Sequence, residues 1–177
     1  MVLEYLARKI NKNKWSTVSY DGSADIQADA ITGCLRTQSN ELSVWKCDTA
    51  RLDVKEVVLA LTLAEKRDRI DKIHVVLVDQ KHIETDGIRQ NNTSGDTLVE
   101  DLKSRHRDLT NLTMTQLCVL AKRIITQVDN YDGQEHAAIS CSHSFTRTEV
   151  IEIVRNAVSS RRVDKEKLPE KMQREIG

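Results

Sequence analysis

The sequence predicts an α/β fold. We expect a mostly parallel central sheet of about four strands with helices on both faces, plus an N-terminal helix and a C-terminal helical tail. Three observations predict it. Apolar periodicity switches between strand-like and helix-like stretches along the chain. Candidate helices fall between candidate strands, the order that the crossovers of a parallel sheet require. One proline and six glycines in 177 residues leave few obligatory breaks, which favours helices. The length suits a single α/β domain over residues 1–160, followed by a polar tail over 161–177.

The elements follow in order. Residues 2–11 place Val2, Leu3, Leu6, Ala7 and Ile10 on one helical stripe. "WSTVSY" (15–20) alternates and holds β-formers, so it reads as a strand. Residues 24–36 read as a helix with Ile26, Ala30, Ile31, Cys34 and Leu35 inward, weakened at Gly33. "ELSVWKC" (41–47) is a second strand, and "DVKE" (53–56) is a capping box opening a helix to about residue 66. "KIHVVLVD" (72–79) is a nearly continuous β-branched run, which predicts a central strand buried on both faces. Residues 80–112 form a long loop, then a short helix from Asp96 that ends at "RHRD" (105–108). "TMTQ" (113–116) caps a helix whose Leu117, Leu120, Ala121, Ile124, Ile125 and Val128 form one stripe. "EHAAISC" (135–141) is a fourth strand, and "TRTE" (146–149) caps a further helix.

Composition limits function. Charged residues balance to a formal net charge of zero, which argues against a general nucleic-acid binder. The balance is uneven along the chain. Residues 1–14 carry Arg8, Lys9, Lys12 and Lys14 against Glu4, and residues 161–177 carry six basic and four acidic side chains. Basic ends on an acidic body predict a protein partner or a homo-oligomer. No stretch is long and apolar enough for a membrane span, and the N-terminus lacks the pattern of a secretory signal. The four cysteines are widely spread and form no CxxC, as expected of reduced thiols in a cytoplasmic protein.

In a parallel sheet, ligands sit outside the carboxyl ends of the strands. Those ends supply Asp21 and Ser23, then Asp48, then Asp79 and His82, and finally His143. Converging on one rim, such carboxylates and imidazoles would suit acid–base work. The same residue types also serve as helix caps and turns. Arg36 offers a bidentate fork to an anion or carboxylate. "CSHS" (141–144) brings together a thiol, two hydroxyls and an imidazole, but nucleophilic catalysis needs a base in reach and a third group to orient it. His74 alternates into a buried strand, as a core histidine would. No phosphate-loop motif or metal-ligand set is present, so no cofactor or metal is implied.

The stretch "STVSYDGSADIQADAITGCLRTQSNELSVW" resembles the opening of TIR domains, in which a strand ending in an SY-type dipeptide leads through an acidic loop to a helix and a second strand. "KIHVVLVDQKHI" is similar to their third strand, with Asp79 where a serine is expected. The resemblance covers under a third of the chain. It implies a nucleotide- or NAD-cleaving hydrolase in which Glu100, by position, or Asp79 would be the acidic group, with Asp21, Ser23 and Arg36 positioning the substrate. The reading from the residues themselves is a small interaction or regulatory module, self-associating or accessory to a larger complex and with a nucleotide as a candidate ligand; the alternative is the nucleotide- or NAD-cleaving hydrolase with its site at the strand carboxyl ends.

Overall fold

The computed structural model describes residues 4–15, 17–20, 23–48, 51–129 and 142–177. In chain order the elements are β1 (Glu4–Ile10), β2 (Thr17–Tyr20), β3 (Ser23–Ile26), α1 (Ala28–Cys34), β4 (Leu42–Asp48), α2 (Arg51–Thr62), β5 (Ile73–Asp79) and α3 (Gln80–Thr85). Then come β6 (Arg89–Asn92), β7 (His106–Thr110), α4 (Met114–Asp129), β8 (Ser142–Phe145), α5 (Arg147–Ser159) and α6 (Glu170–Ile176). Short 3-10 turns occupy Lys12–Lys14, Glu100–Arg105 and Lys165–Lys167.

Among the described residues, the central sheet has six strands in the order β6-β7-β4-β1-β5-β8, and every neighbouring pair is antiparallel. This overturns the expected mostly parallel sheet of about four strands. The reason is interleaving. β4 and β5, joined through α2, do run in the same direction, as a helical crossover demands. So do β5 and β6, joined through α3. But β1 sits between β4 and β5, and β7 sits between β4 and β6. β1 thus parts β4 from β5, and β7, β4 and β1 all lie between β6 and β5, so no same-direction pair is adjacent. As a result, carboxyl ends alternate between the two borders of the sheet.

The expected N-terminal helix is also overturned, because residues 4–10 form β1 near the middle of the sheet. Tyr5 and Ala7 face one core while Leu6 and Ile10 face the other. An interior strand buried on both faces carries apolar residues at nearly every position. Leu6 and Ile10 then mimic a helical stripe. The stretch that resembles the start of TIR domains likewise differs: β2 and β3 pair as a separate two-stranded antiparallel ribbon before α1 begins. The helix expected from Asp96 is a 3-10 turn followed by β7, so "RHRD" opens a strand rather than closing a helix. The strand expected at 135–141 lies outside the described residues.

Helices cover both faces. On one face, α2, α5 and α6 bury Val57, Val58, Leu59, Val150, Val154 and Met172 against Ala7, Val75 and Leu77 of the sheet. On the other, α1, α3 and α4 bury Ala30, Ile83, Leu120, Ala121 and Ile124 against Leu6, Val76 and Val78. Within residues 161–177, Val163, Leu168, Met172 and Ile176 all join the first core. Two capping boxes form as the sequence implies. Gln116 N–H donates to the Thr113 hydroxyl while Thr113 N–H donates to Gln116 Oε1. Thr146 and Glu149 do the same at the start of α5. The box expected at Asp53 does not form, since Asp53 lies inside α2. It accepts instead from the Asp48 N–H at 3.0 Å and from Arg105 at 2.8 Å.

Candidate functional site

A cleft of about 470 Å³ opens at the border where β1 and β8 end and β5 begins. Lys9 and Ile10 come from β1, Asn11 to Asn13 from the following turn, Asp71 and Lys72 from the approach to β5, and Ile73, His74, Ser144 and Phe145 from β5 and β8. Sheet register builds its centre. Ile10 pairs with His74, and His74 pairs with Ser144, so one row crosses three strands. Ser142 pairs with Val76, one step along the same face. Alternation in a strand sends Ser142 and Ser144 to the same side.

His74 is consequently held between two hydroxyls. Its Nε2 lies 2.8 Å from Ser142 Oγ, and its Nδ1 is hydrogen-bonded to Ser144 Oγ. Ser142 is buried and Ser144 is exposed to the cleft. The His74 imidazole is held down to about 4, first by burial and then by the nearby charges of Lys12 and His143. It is therefore neutral at physiological pH, so one ring nitrogen is free of a proton and can accept one.

The cleft is rich in cations. Lys9, Lys12 and Lys72 line it against one carboxylate, Asp71. Asp71 is itself 3.0 Å from Arg69 Nε. Burial pushes the Lys9 ammonium down to about 8, and the Arg67 guanidinium beside it adds to that effect while Asp71 opposes it. One guanidinium nitrogen of Arg67, Nη1, is buried without a hydrogen-bond acceptor. Burial also lowers the Arg67 pKa from its ordinary value. The buried, unpartnered Nη1 of Arg67 and the burial-lowered Lys9 would both be favoured by an anionic ligand, which would supply charge and lone pairs.

The residues singled out in the sequence do not meet here. Asp48 and Asp79 share the opposite border, beside the start of β1, where they pair with Glu4 and Tyr5. Asp79 accepts from Lys81 N–H at 2.8 Å and so caps α3. His82 is exposed on α3, facing a shallow depression shared with Lys122 and Arg123 of α4. Glu100 is exposed and held 2.8 Å from Lys103. Arg36 is exposed beyond α1. Ser23 opens β3, and Asp21 lies outside the described residues. His143 is half-buried in β8 opposite Val75, on the other face of that strand from Ser142 and Ser144.

Among the described residues, no three His, Cys, Asp or Glu side chains are placed to hold a metal ion. None of the described helices is long and apolar enough to cross a membrane.

Sequence reasoning missed His74, Ser144, Lys9 and Lys72 as partners. The usable signal was the Ser-x-Ser spacing of 142–144, which puts two hydroxyls on one face of a strand. The imidazole they receive comes from 68 residues away, and only the β5–β8 register supplies it. No family model matches the chain, and neither a curated protein nor a solved structure is found similar to it.

Proposed function

We propose that the protein is a small interaction module whose cleft at the β1–β5–β8 border receives a phosphate-bearing ligand, nucleotides among the candidates. The observation that carries this reading is the charge in a concave site: among the described residues lining it, Lys9 and Lys72 face the single carboxylate of Asp71, which is already engaged by Arg69. The volume of about 470 Å³ suits a small molecule. A bound phosphate would favour the protonated form of Lys9 and accept from its ammonium group. Glu100 and Asp79 add nothing to this reading, since one is paired with Lys103 and the other caps a helix.

Thermal-shift titrations with inorganic phosphate, pyrophosphate and nucleoside monophosphates test it, with chloride at matched ionic strength as the control. Ligand at 100 times its dissociation constant stabilises by about 2.7 kcal/mol. For a chain of this size that is a rise in Tm of roughly 5–10 °C. Lys9→Gln and Lys72→Gln should each weaken binding about tenfold, the loss of one charge-assisted hydrogen bond. Equal melting curves in phosphate and chloride, or undiminished binding by both variants, would overturn the proposal.

A further inference from the structure

We infer that Ser144 is a nucleophile with His74 as its general base, acting on an ester that carries an anionic group. This rests on the anion-binding reading of the same cleft. Three geometric facts support it. The Ser144 hydroxyl is exposed in the cleft and hydrogen-bonded to His74 Nδ1. His74 Nε2 lies 2.8 Å from the buried Ser142 hydroxyl. All three residues sit on one face of adjoining strands, with His74 directly opposite Ser144. A nucleophile, a base and a third group orienting the base is the arrangement that activates a serine.

Ser142 has a definite part. When His74 carries its proton on Nε2 and donates it to Ser142 Oγ, Nδ1 is left as an acceptor for the Ser144 proton. Ser142 is thus a positioning residue, while Ser144 and His74 act on the substrate. In the first step Ser144 Oγ attacks the ester carbonyl, an Oγ–C bond forms, and the hydroxyl proton passes to His74 Nδ1. The carbon–alkoxide bond then breaks, and the leaving alcohol takes that proton. Water attacks the acyl-serine next and gives a proton to His74; the Oγ–C bond then breaks, Ser144 Oγ takes that proton back from His74, and the acid is released. Lys12 from the turn after β1 and His143, on the other face of β8, both act electrostatically on His74. Lys9, Asp71 and Lys72 complete the charged lining, and the lysines would draw the anionic end of the ester into the cleft.

The test uses the full chain and a fluorophosphonate, followed by mass spectrometry. Ser144 Oγ would bond to phosphorus, fluoride would leave, and the proton would pass through His74 to solvent. A single adduct on Ser144 is expected. It should be absent in Ser144→Ala and at least 100-fold slower in His74→Asn, the scale of a positioned general base. Ser142→Ala should slow labelling about tenfold and leave phosphate affinity unchanged. Inorganic phosphate should slow labelling of the unaltered protein. No adduct on Ser144, or equal rates in His74→Asn, would overturn the nucleophile even if phosphate binds. Labelling that phosphate leaves untouched would overturn the anionic substrate and the binding reading together, while leaving the serine reactive.

Discussion

Gly95→Ala probes how tightly the loop before the Glu100–Arg105 turn is packed onto the sheet. A Cβ added at Gly95 would lie 2.4 Å from Trp45 Cη2, 3.0 Å from Trp45 Cζ3 and 3.1 Å from His106 Cβ. Carbon atoms in contact sit about 3.5–4.0 Å apart, so the indole must retreat by about 1 Å. It has little room to do so. Trp45 is 6% exposed, and its ring stands edge-on to His106 at 5.1 Å and 74°. His106 is held in turn by Thr93, whose hydroxyl lies 2.7 Å from Nδ1 and donates to Asp108. Gly95 N–H also donates to Lys103 O at 2.9 Å, which ties the loop to the 3-10 turn. Overpacking of this kind costs about 1–3 kcal/mol. The stiffer unfolded chain of the alanine variant offsets about 0.4–1 kcal/mol. A net loss of about 1–2 kcal/mol follows, or a fall in Tm of roughly 2–8 °C. Urea denaturation followed by tryptophan fluorescence measures it. Gly33→Ala is the control. The three atoms nearest its added Cβ all belong to the Lys14 side chain, closest at the flexible Nζ tip at 3.0 Å, and it lies inside α1. That variant should be stabilised by up to about 1 kcal/mol. If Gly95→Ala is as stable as the unaltered protein, the packing argument fails.

Two further outcomes are expected. Arg8 donates from Nε and Nη2 to Cys34 O at 3.0 and 2.9 Å, and from Nη1 to Ser43 O at 2.6 Å, tying the end of α1 to β1 and β4. Arg8→Met should cost about 1.5–3 kcal/mol in urea denaturation, and a loss under about 0.5 kcal/mol would refute that role. His74 titrates near 4 in the folded chain against an ordinary 6.5, so protonation favours the unfolded state. Its contribution is complete above pH 6.5 and is lost as pH falls towards 4. The full shift corresponds to about 3.4 kcal/mol, which partial exposure and screening reduce to roughly 1–2 kcal/mol. His106, also lowered by burial, titrates in the same direction, whereas Asp86, held below its ordinary value by Arg123, matters only at lower pH. The difference between the unaltered protein and His74→Asn across this window isolates His74, and parallel pH curves would refute the assignment.

Much of the local structure was legible because it depends on residues close in the chain. Thr113 with Gln116 and Thr146 with Glu149 announce two helix starts through bonds spanning three residues. The β-branched run of 73–79 reads correctly as an interior strand. The stripe from Leu117 to Val128 reads correctly as the buried face of α4. Even the shared direction of β4 and β5 follows from the helix between them. Residues 4–10 were misread because a strand buried on both faces loses its period of two. "HRDLT" was misread because a strand of five residues starting from a 3-10 turn has too short a pattern to declare itself.

The sequence by itself determined where α4 and α5 begin, which face of α4 is apolar, and that strands and helices mix in one chain. Only the tertiary structure decided that β1 and β7 enter between strands of opposite direction. That choice turns a parallel expectation into an antiparallel sheet and parts Asp48 and Asp79 from the end of β8. It also sets Ile10, His74 and Ser144 in one row. The physical reason is range. Caps and periodicity are settled within a turn or two of chain. Strand order and register depend instead on which two-sided apolar strand fills the middle of the sheet, a choice made by burial between segments dozens of residues apart.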